Sequence, residues 1–254
     1  AAVDITRRKE IETELRQAKQ LAEQANEAKS AFLAAMSHEL RTPLAAIAGY
    51  VDLMLLGIPV SLEPEQEAQV QRVKVCARHL LQLIEGVLEY ARIDASSESV
   101  DLAPVDVTDL VEEVEAVMRP IVGQKKLEFD VVVAGSPTTI RSDPRKIRQI
   151  LINLLGNAVK FTDDGSVELR VEVQDEQVRF TVTDTGVGMG SDTLERIFDR
   201  FWQADQGSDT AATPGAGLGL TISRGYARML GGSLTAESES GKGATFHVVL
   251  PAAE

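Results

Sequence analysis

The chain has one cysteine, Cys76, in 254 residues, which excludes an internal disulfide and any cysteine-based zinc cluster. That usage fits a reducing, cytosolic setting. Aromatic residues make up 4% of the chain, with a single Trp, so the core must be built mostly from aliphatic side chains. Basic charge is scarce. The 26 Lys+Arg against 39 Asp+Glu leave a net charge of −13, the wrong field for a nonspecific nucleic-acid binder or an anionic membrane surface. Residues 1–99 hold 11 basic and 15 acidic groups and residues 100–254 hold 15 and 24, so no basic arm is hidden in the average. No apolar run approaches ~18 residues, so no transmembrane helix is expected. The start, Ala1-Ala2-Val3-Asp4, is no signal peptide and reads as the cut end of something longer. The 44% hydrophobic and 26% charged content is ordinary for a globular chain and excludes whole-chain disorder. The length allows one to three domains, with two the middle expectation.

From Arg7 to Leu56 the only helix breakers are Pro43 and Gly49. Ile11, Leu15, Ala18, Ala22, Ala25, Phe32 and Met36 alternate in steps of four and three, with Lys29 interrupting one position. This is a heptad seam, the pattern of a coiled coil or bundle. Gly57-Ile58-Pro59 ends the helix and Glu63-Pro64 opens a second, whose seam runs Val73, Ala77, Leu80, Ile84, Val87, Ala91. Two antiparallel helices leave one side of their seams exposed, so a homodimer forming a four-helix bundle is expected. The polar stretch Asp94 to Ser99 reads as a linker.

After Val100 the pattern changes to α+β. Asp106 or Thr108 can cap a helix to about Gln124, and a strand follows at 127–133. Asp143-Pro144 starts a helix carrying Ile147, Ile150, Leu151, Leu154, Leu155, Ala158 and Val159. Asp163-Asp164-Gly165 carries a hairpin-turn signature beside strands at 166–173 and 177–184. Residues 203–217 have little periodicity and read as a mobile loop. A helix at 218–230 and strands at 233–238 and 244–250 complete the chain. One sheet against a helical layer, an α+β sandwich, fits best.

Chemistry could sit in several places. His38 falls off the first seam, in Ser37-His38-Glu39-Leu40-Arg41-Thr42-Pro43. A histidine beside a carboxylate on a helix is commonly a solvated polar pair. The alternative is a nucleophile, with Glu39 holding one ring N–H and Thr42 on the same helix face. Pro43 removes a backbone bond and lets the helix bend there. Lys146, Gln149, Asn153, Asn157 and Lys160 line one side of a helix. A solvated face is the plain reading, but mid-helix asparagines need repayment. An Asn oxygen can ligate Mg²⁺, and Lys160 can meet phosphate. Asp184-Thr185-Gly186-Val187-Gly188-Met189 ends a strand. It is either a turn or a carboxylate placed to accept from an exocyclic amine. Gly215-Ala216-Gly217-Leu218-Gly219-Leu220 opens a helix and is either a hinge or a phosphate cradle. No Gly-Lys-Ser/Thr follows it and no strand precedes it, so it matches neither a P-loop nor a dinucleotide fingerprint. Phe198-x-x-Phe201-Trp202 reads by default as a core stripe.

The order of these segments resembles that of a sensor histidine kinase of a two-component system. Ser37 to Leu44 resembles the phosphoacceptor box, Asn153 to Thr162 the asparagine box and Asp184 to Met189 the first glycine box. Phe198 to Phe201 resembles the phenylalanine box and Gly215 to Leu220 the second glycine box. Val3 to Lys9 resembles the end of a PAS sensor domain running into its signalling helix.

The resemblance implies a coiled-coil signalling helix at 1–29, after an upstream sensor. It implies a HisKA-type dimerisation and phosphotransfer bundle at 30–95, a linker at 96–100 and a catalytic domain of the Bergerat (GHKL) ATP-binding fold at 101–254. Asp184 would bind the adenine amine, with Gly186 and Gly188 beside it. Asn157, with Asn153 supporting, would hold Mg²⁺. Lys160 would neutralise phosphate and Phe161 would pack near the nucleotide. Residues 203–217 would be an ATP lid, and Gly215, Gly217, Leu218 and Gly219 would lie at phosphate. His38 would attack the γ-phosphorus of ATP, with Glu39 taking its proton. The phosphoryl group would pass to an aspartate of a response-regulator receiver domain, and Thr42 could orient water to hydrolyse that phosphoaspartate. The fragment would be cytoplasmic, without membrane insertion of its own, although the full-length protein could be anchored. An ATPase machine of the same nucleotide fold, a scaffold with degenerate boxes and a protein acting mainly as a phosphatase remain open alternatives.

Overall fold

The computed structural model describes residues 2–94, 98–135, 139–174, 176–202 and 217–252. The side chains of a number of residues in the first helix, Ser37 and His38 among them, and of Gln174 lie outside that set. The chain falls into two compact units, Ala1–Glu98 and Ser99–Glu254.

The first unit is a helical hairpin, α1 (Ala2–Leu55) and α2 (Pro64–Asp94). Gly57, at φ +74, ends α1. Its N–H bonds the Met54 carbonyl at 3.0 Å while the Ile58 N–H bonds that of Leu53 at 3.0 Å, the Schellman pair of bonds that needs a left-handed residue between them. At the start of α2 the Glu63 N–H donates to Gln66 Oε1 at 3.0 Å, the return bond of a capping box. Ion pairs between described residues cross the hairpin at Lys74–Asp52 (2.6 Å) and Arg41–Glu85 (3.4 Å). They are separated by eleven residues on each helix, close to three turns at ~3.6 residues per turn, so both sit on one face and fix one antiparallel register. The Lys74 ammonium, bonded to Asp52, holds that carboxyl below the usual range. Val51, Ala77 and Ala91 are buried between the helices, whereas the seam residues Val73 and Leu80 stay 48% and 45% exposed. One hairpin therefore covers only part of its apolar surface.

The second unit is an α+β sandwich. Its elements are β1 (Ala103–Asp106), α3 (Val107–Lys125), β2 (Glu128–Gly135), β3 (Thr139–Ser142), α4 (Pro144–Phe161), β4 (Ser166–Gln174), β5 (Gln177–Asp184), α5 (Ser191–Arg196), α6 (Gly219–Met229), β6 (Ser233–Ser238) and β7 (Ala244–Pro251). The main sheet has the order β2-β4-β5-β7-β6, parallel between β2 and β4 and antiparallel elsewhere. Alternate residues Val167, Leu169, Val171, Val178, Phe180, Val182, Phe246, Val248 and Leu250 are buried under the helices. Glu168, Arg170, Glu172 and Arg179 fall on the opposite parity, as period-two patterning requires. Helix α4 packs on β4 and β5, between α3 and α6.

Two expectations need correction here, and one element is new. Asp163-Asp164-Gly165 is not a hairpin turn. It joins α4 to β4, with Gly165 at φ +115 and its carbonyl taking the Glu128 N–H at 3.0 Å. The β4–β5 hairpin turns instead between Gln174 and Gln177. A two-stranded sheet, β1 with β3, adds to the sandwich, and its four-residue strands carry almost no periodic signal in the sequence. Lys146 does not belong to the solvated stripe of α4. It is buried, 3.5 Å from Asp143 Oδ2, with its ammonium 5.1 Å from the Tyr226 ring centroid.

Asp143 caps α4. Its Oδ1 takes the N–H groups of Arg145 (3.0 Å) and Lys146 (3.3 Å), and its Oδ2 takes the Asp101 N–H at 3.1 Å. Burial pushes its pKa up, but the backbone donors of Asp101, Lys146 and Arg145 and the charge of Lys146 prevail, so the net shift is downward. A lowered carboxyl stabilises the fold above its unfolded pKa, and that contribution is lost as pH falls through the folded value. Asp143→Ala removes a cap and takes away the carboxylate 3.5 Å from the buried Lys146 ammonium. We expect a loss of about 3 kcal/mol in urea unfolding at neutral pH, shrinking on acidification.

Candidate nucleotide and phosphoacceptor sites

Residues 37–44 lie on α1. Glu39 and Thr42 are exposed. The backbone at His38 is helical, and its side chain lies outside the described residues. The helix runs through Pro43, which has no N–H to give the Glu39 carbonyl one turn earlier.

In the second unit, Asn153, Asn157, Lys160 and Phe161 belong to the part of α4 that is not fully packed. Asn153, Asn157 and Lys160 are half-buried and Phe161 is exposed. The Lys160 ammonium sits 5.1 Å from the Phe161 ring centroid, and burial lowers its pKa. Asp184, at the end of β5, is 6% exposed. Its Oδ1 takes the Gly186 N–H at 2.9 Å and the Ala244 N–H at 3.3 Å. Burial raises its pKa more than these two donors lower it. The turn after Asp184 is pressed against the end of α4. The Val187 N–H bonds the Phe161 carbonyl at 3.2 Å, and a Cβ on Gly186 would overlap that carbonyl oxygen and come within 2.9 Å of Asp184 Oδ1. Gly186 is thus required by backbone packing, beyond any approach of a ligand. Gly188 has φ +61.

At the other end of the stripe, Asn153 Nδ2 donates to Ser223 Oγ of α6 at 2.9 Å, and a Cβ on Gly219 would overlap Asn153 Oδ1. Leu218 is buried as the residue before α6. Gly217, at φ +66, has its carbonyl bonded by the Phe201 N–H at 3.1 Å. Gly215 lies outside the described residues. The structure therefore gathers Asn153, Gly219, Asn157, Lys160, Phe161, Gly186 and Asp184 around one helix, with Gly217 one residue removed.

Phe198-x-x-Phe201-Trp202 is not a core stripe. Phe201 is 59% exposed at φ 59, where the chain turns towards Gly217. Thr221 Oγ1 donates to the Phe198 and Asp199 carbonyls (3.1 and 3.3 Å), and the Arg224 guanidinium lies 4.8 Å from the Phe198 ring centroid. Sequence reading missed Thr221, Ser223, Arg224 and Ala244. Ser223 stands four residues after Gly219, a same-face spacing that could have drawn attention to it.

Among the described residues no group of three or more His, Cys, Asp or Glu could hold a metal ion. A cation here would have to rely on amide oxygens, phosphates and water. That donor set is hard and sparse, and it suits Mg²⁺, which keeps several waters and phosphate ligands.

This arrangement belongs to a nucleotide-binding α+β domain, in a chain that also carries a helical hairpin. Residues 142–254 match the family of histidine kinase-, DNA gyrase B- and HSP90-like ATPases, and residues 28–96 match the His Kinase A (phospho-acceptor) domain. The chain belongs to the histidine kinase family. It is 39% identical over 98% of its length to the virulence sensor protein BvgS of Bordetella bronchiseptica, and 37% identical over 91% to the sensory/regulatory protein RpfC of Xanthomonas campestris. It spans only 20% and 32% of those proteins. The solved full-length ShkA in complex with AMPPNP is similar over 87% of this chain and 46% of ShkA, with a TM-score of 0.73 and 38% identity.

Asp184→Asn keeps an acceptor for both N–H groups and removes the buried charge. Because burial raises the folded pKa, the carboxylate costs stability that grows as pH rises from the unfolded to the folded value. Without nucleotide, the variant should melt at or above the wild-type temperature at neutral pH, with the difference vanishing on acidification. Thermal melts at both pH values check this.

Proposed function

We propose that the chain is the kinase core of a sensor histidine kinase. In this reading it transfers the γ-phosphoryl group of ATP to His38 and then to an aspartate of a response-regulator receiver domain. The observation that carries the reading is the pairing, in one chain, of a phospho-acceptor hairpin with an asparagine- and glycine-lined site around α4. Asp184 accepts from the adenine amine through the oxygen its two backbone donors leave over. Asn157 and Asn153 would hold Mg²⁺ through their carbonyl oxygens, and the ion would supply neutralisation of phosphate charge. Lys160 adds a cation, and the backbone at Gly217, Leu218 and Gly219 faces phosphate at the start of α6. Gly215 completes that segment in sequence.

Imidazole nitrogen of His38 donates its lone pair to the γ-phosphorus. The bond from phosphorus to the bridging oxygen breaks, and its electron pair leaves with ADP. Glu39 accepts the imidazole proton. The phosphorus–nitrogen bond then yields to a carboxylate oxygen of the regulator. Phosphoryl transfer depends mainly on positioning and charge neutralisation, so this equipment suffices. In this reading Thr42, exposed on the same helix, orients water against the phosphoaspartate. The half-exposed seam of the hairpin supports a homodimer with a four-helix bundle, and residues 7–35 support a coiled coil leading from an upstream sensor. We assign residues 1–29, 30–95, 96–100 and 101–254 to signalling helix, phosphotransfer bundle, linker and catalytic domain. The core is placed in the cytoplasm, and no described helix is long and apolar enough to cross a membrane.

Incubation with γ-labelled ATP and Mg²⁺ should yield acid-labile, base-stable phosphate on the protein. His38→Ala should abolish labelling and leave ATP affinity within a few-fold. Labelling of His79 or His247 in that variant, or no labelling of the wild type, would defeat the assignment. Asp184→Asn should weaken ATP about ten- to a hundredfold and GTP far less, as read by calorimetry.

A further inference from the structure

Ser223 has no part in the readings above. It lies on α6, is 1% exposed, and its hydroxyl has Asn153 as its one hydrogen-bond partner among the described residues. The amide of Asn153 is wedged against the first turn of α6. Its Nδ2 donates to Ser223 Oγ at 2.9 Å, and its Oδ1 lies where a Cβ on Gly219 would stand. Gly219 is the first residue of α6, the helix end where the proposed function puts phosphate.

An amide has one face that can serve a cation, its carbonyl oxygen, and one that repels it, its NH₂ group. Which is presented depends on what holds the other. We propose that Ser223 is a positioning residue for the divalent cation that accompanies the nucleotide. Its hydroxyl engages Asn153 Nδ2 and so keeps Oδ1 at the N-terminal residue of α6. Ser223 acts through Asn153 and touches neither cation nor nucleotide. The same contact locks the helix that carries the asparagines to the helix that begins at the phosphate end, so ligand oxygen and backbone donors are set in one register.

The inference rests on the proposed nucleotide site, and the test separates the two. ATP binding to the full-length chain is measured by calorimetry with Mg²⁺ and with excess chelator. Ser223→Ala should weaken binding about tenfold with Mg²⁺ and leave binding in chelator unchanged. Ser223→Thr keeps the hydroxyl and should restore the cation-dependent part. Ser223→Cys keeps the volume with a poor acceptor and should behave as Ser223→Ala, which covers the case where the threonine methyl is not tolerated. Combined with Asn153→Ala, Ser223→Ala should add no further loss. Equal losses with and without Mg²⁺ would mean that Ser223 only packs the helices. Additive losses in the double variant would mean that it does not act through Asn153. Either result overturns the proposal. A wild-type chain that binds no nucleotide in either condition would overturn the proposed function itself, whereas wild-type binding that ignores Mg²⁺ would overturn only this inference.

Discussion

The geometry of the second unit depends on α4 being covered on three sides. The sheet lies beneath it, α3 on one flank and α6 on the other. Ile147, Ile150, Leu151, Leu154, Leu155 and Ala158 are all buried in that enclosure. Each large aliphatic side chain there is worth about 1.5–3 kcal/mol of burial. The two mid-helix asparagines cost at most about 0.7 kcal/mol each in helix propensity. Packing therefore decides the conformation by an order of magnitude. A rotation of α4 that hid Asn153 and Asn157 would expose the aliphatic set, so the direction of the polar edge is fixed.

The ends of α4 then dictate their neighbours. The last carbonyls of a helix need outside donors. Lys125 Nζ covers those of Lys160 (3.2 Å) and Thr162 (3.1 Å), and the Val187 N–H covers that of Phe161 at 3.2 Å. Accepting the last bond brings the chain after β5 against the helix, where a side chain at Gly186 would collide with the same carbonyl. In the middle of the helix, Asn153 reaches α6 only because Gly219 leaves room. These glycines admit their neighbours to the edge of α4, and the proposed nucleotide site consists of what that close approach brings together.

Much of this was legible in the sequence because it is local. Asp143-Pro144 announces a cap and a first turn, and the structure has both. Period-two runs mark β4, β5 and β7, and the four-three seams mark α1 and α2. What failed was whatever depends on a distant partner. Lys146 has the right spacing for the polar stripe, but Asp143 and the Tyr226 ring draw its cation inward. Asp163-Asp164-Gly165 has the composition of a hairpin turn, but its carbonyl is claimed by Glu128 on a different strand. Phe201 looks like core, yet its N–H is engaged by Gly217, sixteen residues on. Ser223 is a serine in an amphipathic helix until Asn153, seventy residues away, is placed beside it.

The two buried aspartates show how a structural carboxylate differs from one poised for a ligand. Asp143 receives three backbone N–H groups and has Lys146 close by, and its pKa falls below the ordinary value although burial opposes it. Its charge is fully answered within the chain. Asp184 receives two N–H groups, both on Oδ1, and burial wins, so its pKa rises. Its charge is under-compensated by the protein alone. A carboxylate left in that condition at a strand end, beside a backbone turn that carries no side chain at Gly186, gains from any donor that reaches Oδ2. A neutral N–H donor from a planar base supplies the missing bond without bringing a second charge into a buried place. In the proposed function that left-over oxygen is the one an exocyclic amine would reach, while Oδ1 stays with the two backbone donors, one of them on the neighbouring strand β7.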